Sequence, residues 1–237
     1  MEKISNIQNP NFAALVQVAK ALGVLRGSVV FVGGTVVGLL MTDPAAPEIR
    51  VTQDVDVIVE ITTRKQYYDF SDQLKEKGFV EDANSSVICR WRLGSLVVDV
   101  MPTESDILGF SNRWYVPAIR HSVTKEITPD LTVRLITAPY FLATKFEAFE
   151  SRGEKDFVSS PDIEDIIAVI DGRKELLSEL SEAEKDVRTF LSERCSQLLK
   201  TRVFVEHVSG FLLGDLASQQ RIPILLSRIR QIAAMKE

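Results

Sequence analysis

Asp54 and Asp56 stand two residues apart in an apolar run from Val51 to Ile61, and Asp99 sits in a second run, Leu96-Val97-Val98-Asp99-Val100. A strand alternates its faces with period two, so Asp54 and Asp56 project from one side and Asp99 can join them from a neighbouring strand. Three crowded carboxylates repel one another and resist desolvation, which calls for a compensating cation. Hard oxygen donors suit Mg²⁺ or Mn²⁺, ions that keep some water and take further ligands from phosphates. Upstream, Gly33-Gly34-Thr35 follows an apolar stretch. Two glycines allow backbone N–H groups to approach triphosphate oxygens, a helix opening near Thr35 would aim its positive end at them, and Thr35 adds a hydroxyl donor.

This set of groups suits phosphoryl or nucleotidyl transfer, which needs positioning and charge neutralisation more than covalent chemistry from the protein. Two ions about 3.5–4 Å apart can bind the attacking hydroxyl, the transferred phosphorus and the departing pyrophosphate. Asp54 and Asp56 would hold both ions, with Asp99 on the side of the attacking hydroxyl. Arg50, two residues before Thr52, falls on the acid face if the strand is regular, where it either contacts phosphate or balances the carboxylates. Gly109-Phe110-Ser111-Asn112-Arg113-Trp114-Tyr115 mixes aromatics with Arg113. It could stack a base or anchor a loop. Neither His121 nor His207 has a partner at catalytic or metal-binding spacing, which leaves a triad mechanism without support.

Hydrophobic periodicity predicts the elements that must position these groups. A helix is expected over 11–23, a buried strand over 28–32, a helix over 35–41, the aspartate strand over 51–61 and an amphipathic helix over 63–77. Val87 to Leu93 and Leu96 to Met101 read as a hairpin turned at Gly94-Ser95. Short β-like pieces follow at 122–127 and 131–136. After Pro139 the pattern is helical, over 140–151, 162–170, 174–200 with a break near Ser181, 203–217 and 223–234. The expected fold class is α/β of the α+β kind, a mixed-sheet core followed by a helical C-terminal half. The boundary falls near Thr137-Ala138-Pro139, giving domains 1–138 and 139–237.

The chain has 237 residues, 45% apolar and 26% charged, enough for a sizeable core and unlike a disordered protein. Its net charge of −5 argues against coating nucleic acid non-specifically, although a local basic groove is allowed. Two cysteines, Cys89 and Cys195, lack CxxC spacing and fit a reducing compartment. The stretch from Met1 to Asn6 has no signal-peptide pattern, and charges interrupt every apolar run before it could cross a bilayer. The expected location is the cytoplasm.

Gly33-Gly34-Thr35, then Arg50-x-Thr52-x-Asp54-x-Asp56, then Asp99 on a strand resembles the polymerase-β-like nucleotidyltransferase superfamily. Within it the sequence is similar to the bacterial abortive-infection nucleotidyltransferases, the AbiEii-like group that includes MenT-type toxins. A second block, Phe141 to Phe149 around Lys145, then Arg152-Gly153 and Ser160 to Ile166, matches the lysine and later aspartate of that group's helical half. The likeness covers Val30 to Gly172. It implies metal ligation by Asp54 and Asp56, a catalytic or metal role for Asp99, and triphosphate contact by Lys145. Asp165 is the first choice for the final aspartate that orients the lysine. Asp162 is the alternative, because residues 154–160 lengthen the gap, although it stands where it could simply cap a helix. The implied nucleotide-binding set is Gly33, Gly34, Thr35, Arg50, Thr52 and Lys145, and Arg152 and Lys155 are either acceptor-RNA contacts or a solvated helix end. The resemblance further implies transfer of an NMP from an NTP, with Mg²⁺ or Mn²⁺, to an acceptor such as a tRNA 3′ end, in a toxin with a cognate antitoxin. A protein or small-molecule acceptor, and a non-catalytic nucleotide-binding regulator, are the competing functions.

Overall fold

The computed structural model describes residues 9–152 and 156–235, so Met1 to Asn6, Gly153 and Lys155 lie outside the described residues. The chain forms two compact units, Met1–Gly38 with Arg50–Thr137, and Leu39–Ile49 with Ala138–Glu237.

The first unit is built on a seven-stranded mixed sheet, ordered β3-β4-β5-β2-β1-β7-β6. Its strands are β1 (Val29–Val32), β2 (Asp54–Val59), β3 (Val80–Glu81), β4 (Arg90–Leu93), β5 (Leu96–Pro102), β6 (Val123–Thr128) and β7 (Leu131–Leu135). The β1/β7 and β2/β5 pairs are parallel and the other four antiparallel. Helix α1 (Pro10–Leu22) starts where Asn9 accepts from the Asn11 N–H at 2.8 Å and Pro10 fills the first turn, and it stops at Gly23. Val37–Leu40 forms a single turn, α2. Helix α3 (Arg64–Glu76) opens on a reciprocal cap between Thr63 and Gln66. Two short helices, α4 (Ser105–Leu108) and α5 (Tyr115–Arg120), follow β5.

β1 is buried along its whole length, while β2 buries Val55 and Val57 and leaves Asp54 and Asp56 half-buried. Beyond the acids on their own face, Ile58 is fully buried. The carboxylates therefore occupy the end of the strand where that face opens.

The second unit contains α6 (Ala138–Ser151), α7 (Pro161–Gly172), α8 (Leu176–Glu182), α9 (Lys185–Lys200), α10 (Arg202–His207), α11 (Leu216–Gln219) and α12 (Ile222–Ala233). The result is an α+β core with a mixed sheet followed by a largely helical C-terminal region. The expected 174–200 helix breaks at Ala183-Glu184. The expected 203–217 helix divides into α10, a 3₁₀ turn at Val208–Phe211 and α11. The segment 39–49 is tied into this unit by Thr42 and Asp43 N–H groups donating to the Gly172 carbonyl at 2.9 and 2.8 Å. Arg221 adds ion pairs to Asp43 at 2.9 Å and Asp171 at 2.7 Å. Among the described residues no helix is long and apolar enough to cross a membrane.

Candidate metal centre

Sheet register alone brings the acids together. Asp56 stands opposite Asp99 in the parallel β2/β5 pair, Val32 opposite Asp56 in β1/β2, and Arg90 opposite Asp99 in the β4/β5 hairpin. Directly opposed residues share a face, so Val32, Asp56, Asp99 and Arg90 form one row across four strands, with Asp54 two residues away on the same side. Asp54, Asp56 and Asp99 each offer a carboxylate oxygen within 4.8 Å of the others. Among the described residues it is the one such group of three or more His, Cys, Asp or Glu side chains.

Val32 ends β1, which places Gly33 beside Asp56. Gly33 takes φ 69° and ψ −167°, a conformation that is nearly exclusive to glycine. A Cβ there would overlap the Asp56 carboxyl and come within 2.7 Å of the Asp56 Cβ. The first glycine of the pair is thus needed to let an acid-bearing strand lie against the turn. The following segment is a 3₁₀ turn at Gly34–Val36 and then α2, shorter than the expected 35–41 helix, so its dipole is correspondingly small. Gly34 and Thr35 are buried, and the Thr35 hydroxyl donates back to the Val32 carbonyl at 3.5 Å.

Arg50 and Thr52 precede β2 rather than belonging to it, because the strand begins at Asp54. Asn11, buried on α1, clamps this lead-in: its amide donates to the Arg50 carbonyl at 2.9 Å and its oxygen accepts from the Thr52 N–H at 2.9 Å. The Thr52 hydroxyl donates to the Asp54 carbonyl at 2.8 Å. A side-chain amide thus does the work of a neighbouring strand just ahead of the acids.

Arg90 is the side chain at the cluster that sequence reasoning missed. Its Nε donates to Asp99 Oδ1 at 2.8 Å, while Nη2 reaches Asp99 Oδ2 at 2.7 Å and Asp54 Oδ2 at 3.2 Å. The two-residue Gly94-Ser95 turn already carried the signal, since it pairs residue 93 with 96 and so 90 with 99. Hydrogen bonding to Asp99, opposed by burial and reinforced by the charges of Asp99 and Asp54, holds the guanidinium still more firmly protonated than usual. Neighbouring Cys89 is buried, and burial together with the Asp99 and Asp56 charges pushes its thiol up to about 12.

The donor set fits a divalent ion of the Mg²⁺ or Mn²⁺ class. It consists of hard carboxylate oxygens at short mutual range, two of whose residues, Asp54 and Asp99, also pair with Arg90.

In the second unit Lys145 projects from α6 to Asp165 Oδ2 at 2.7 Å and Asp162 Oδ1 at 3.1 Å on α7. Both aspartates contact the lysine, Asp165 at the shorter distance. The helix cap is Ser160, whose hydroxyl accepts from the Ile163 N–H, and Asp162 Oδ2 also forms an ion pair with Arg152 at 2.8 Å. The aromatic segment behaves as an anchor: Trp114 and Tyr115 are buried, the Tyr115 hydroxyl lies 3.0 Å from the Met101 sulfur, and Asn112 accepts from the Trp114 N–H. His207 is engaged with the Val203 carbonyl one helical turn back.

No family model matches this sequence, and no curated protein matches it. Among solved structures it is similar to an antigenic nucleotidyltransferase-like protein from Paracoccidioides brasiliensis, at 22% identity and a TM-score of 0.47 over 68% of this chain and 75% of that one. It is also similar to a candidate nucleotidyltransferase from H. pylori, at 11% identity and a TM-score of 0.46 over 97% and 95% of the two chains.

Proposed function

We propose that the protein is a nucleotidyltransferase of the polymerase-β-like superfamily, moving an NMP from an NTP to an acceptor hydroxyl. The observation that carries the reading is the register that sets Asp56 against Asp99, with Asp54 alongside, directly beside a turn that only glycine can make. Asp54, Asp56 and Asp99 would hold Mg²⁺ or Mn²⁺, which when bound polarises phosphate oxygens and favours the ionised acceptor hydroxyl. Backbone at Gly33 and Gly34 receives the triphosphate. In the reaction a bond forms between the acceptor oxygen and the α-phosphorus, and the bond from that phosphorus to the bridging oxygen breaks. Pyrophosphate departs with the electron pair, and the hydroxyl proton passes to water.

The motif resemblance supports finer assignments. Lys145, held by Asp162 and Asp165, takes the triphosphate role, a tRNA 3′ end is the acceptor, and the protein is a toxin neutralised by a cognate antitoxin. The buried hydroxyl of Thr35 and the Asp54-bound hydroxyl of Thr52 serve the shape of the site more than ligand contact. Incubation with α-labelled NTPs, Mg²⁺ and total RNA, protein or small-molecule acceptors tests this reading. Label should enter tRNA and be lost with Asp56→Ala. Label confined to protein would reject the RNA acceptor, and nucleotide binding without transfer to any acceptor would reject the enzyme.

A further inference from the structure

The carboxylates of the cluster already have a cation. Arg90 lies opposite Asp99 in the hairpin register, forks onto both Asp99 oxygens at 2.7 and 2.8 Å, and reaches one Asp54 oxygen at 3.2 Å. Its side chain is 24% exposed, against 9% for Asp99 and 34% for Asp54. Arg92, two residues along on the same face, is committed elsewhere, to Asp82 at 2.7 Å. The guanidinium thus occupies three carboxylate oxygens of the set that would ligate a divalent ion. One oxygen can share its lone pairs, but a fixed positive charge beside the cluster repels an incoming cation, and the repulsion is strong where water is partly excluded.

We propose that Arg90 is a resident counter-ion that competes with the divalent metal for the acidic cluster, and that metal entry requires it to release Asp54. The geometry of the fork decides which arm gives way. Two short contacts, one to each oxygen, retain Asp99, whereas Asp54 is held by the single longest contact and is the more exposed partner. Arg90 steadies Asp54 and Asp99 against each other in the metal-free protein, and metal affinity is set by an exchange of cations rather than by filling an uncompensated site. This inference rests on the metal-holding reading of the cluster and deepens it by making that site self-buffered.

The test is Mn²⁺ titration of the whole chain, followed by electron paramagnetic resonance without nucleotide, for the wild type, Arg90→Met, Arg90→Lys and Asp56→Asn. Arg90→Met should bind Mn²⁺ about tenfold more tightly than the wild type or better, with Arg90→Lys between them. A purely structural arginine would weaken binding on removal, so tightening is diagnostic. Binding by Arg90→Met no tighter than the wild type, with the wild type binding and Asp56→Asn not, overturns the competition and leaves the metal centre standing. Absence of binding in every form overturns both. Should Arg90→Met fail to fold, the wild-type protein decides: the Arg90 Nε–H resonance must shift as Mg²⁺ saturates the site, and an unmoved resonance at saturation overturns the proposal.

Discussion

Replacing Gly33 with alanine tests how the glycine turn and the acid strand depend on each other. Two penalties combine there. At φ 69° and ψ −167° an alanine carries conformational strain of about 1–3 kcal/mol. Its Cβ also lands on the Asp56 carboxyl and 2.7 Å from the Asp56 Cβ, which no side-chain rotation can move, so the backbone of β1 or β2 must shift at a further cost of about 1–3 kcal/mol. Gly78 at φ 85° and Gly94 at φ 59° provide the internal control, because a Cβ at either meets nothing within 4 Å. Alanine at those positions should cost about 1–2 kcal/mol from strain alone. Both tryptophans, Trp91 and Trp114, are buried in the first unit, so fluorescence in a urea titration reports on that unit specifically. Gly33→Ala should lose clearly more stability than Gly78→Ala or Gly94→Ala. Equal losses at all three positions would refute the claim that Gly33 is fixed by Asp56.

Other consequences can be measured directly. Asn11→Ala removes both clamps on the lead-in to β2, two part-buried hydrogen bonds worth about 0.5–1.5 kcal/mol each, and should cost about 1–3 kcal/mol by the same fluorescence titration. Lys145→Met removes the cation shared by two carboxylates of 3% side-chain exposure, leaving Arg152 on Asp162, and should destabilise the second unit by about 3 kcal/mol, with part of the loss restored by adding Asp165→Asn. Hydrogen exchange of α6 and α7 amides reads that loss. For Asp43, burial pushes the pKa up, but the Ala45 N–H and Arg221 outweigh it and hold it below its ordinary 3.8. A depressed carboxylate pKa stabilises above the unfolded value and loses that contribution as pH falls through the folded one, so the deficit of Asp43→Asn relative to the wild type should be full at pH 7 and fade below about pH 4. Burial raises both thiols to about 12, so neither Cys89 nor Cys195 should react with a disulfide reagent at pH 8 until the chain is unfolded.

What could be read in the sequence follows the range of the interactions concerned. Period-two alternation put Asp54 and Asp56 on one face and the hairpin pattern put Asp99 on a strand, because both depend on residues close in the chain, whereas the parallel β2/β5 pairing that sets Asp99 against Asp56 is long-range. Arg90 lay within reach of the same hairpin register, but an arginine in a strand reads as a solvated charge until its cross-strand partner is counted out. The anchoring of Arg50 and Thr52 could not be read, since it depends on Asn11, about 40 residues earlier and on a helix. Apolar alternation through Val51 suggested strand, whereas the ladder begins at Asp54, beyond the side-chain clamp. In the C-terminal region the apolar pattern persisted through 203–217, although the backbone there tightens from α10 into a 3₁₀ turn and re-forms as α11, a change of winding that hardly alters that pattern. The lysine with two aspartates was half legible: Asp162 and Asp165 lie three apart on α7 and share a face, but only the packing of α6 on α7 shows that both reach Lys145.

The most direct test of the metal-centred account is anomalous diffraction from crystals grown with Mn²⁺ and a non-hydrolysable NTP. The account predicts a manganese peak ligated by Asp54, Asp56 and Asp99, with phosphate oxygens in its remaining coordination sites beside Gly33. A bound nucleotide with no metal at those three carboxylates, and Arg90 still closed on Asp54 and Asp99, would contradict it.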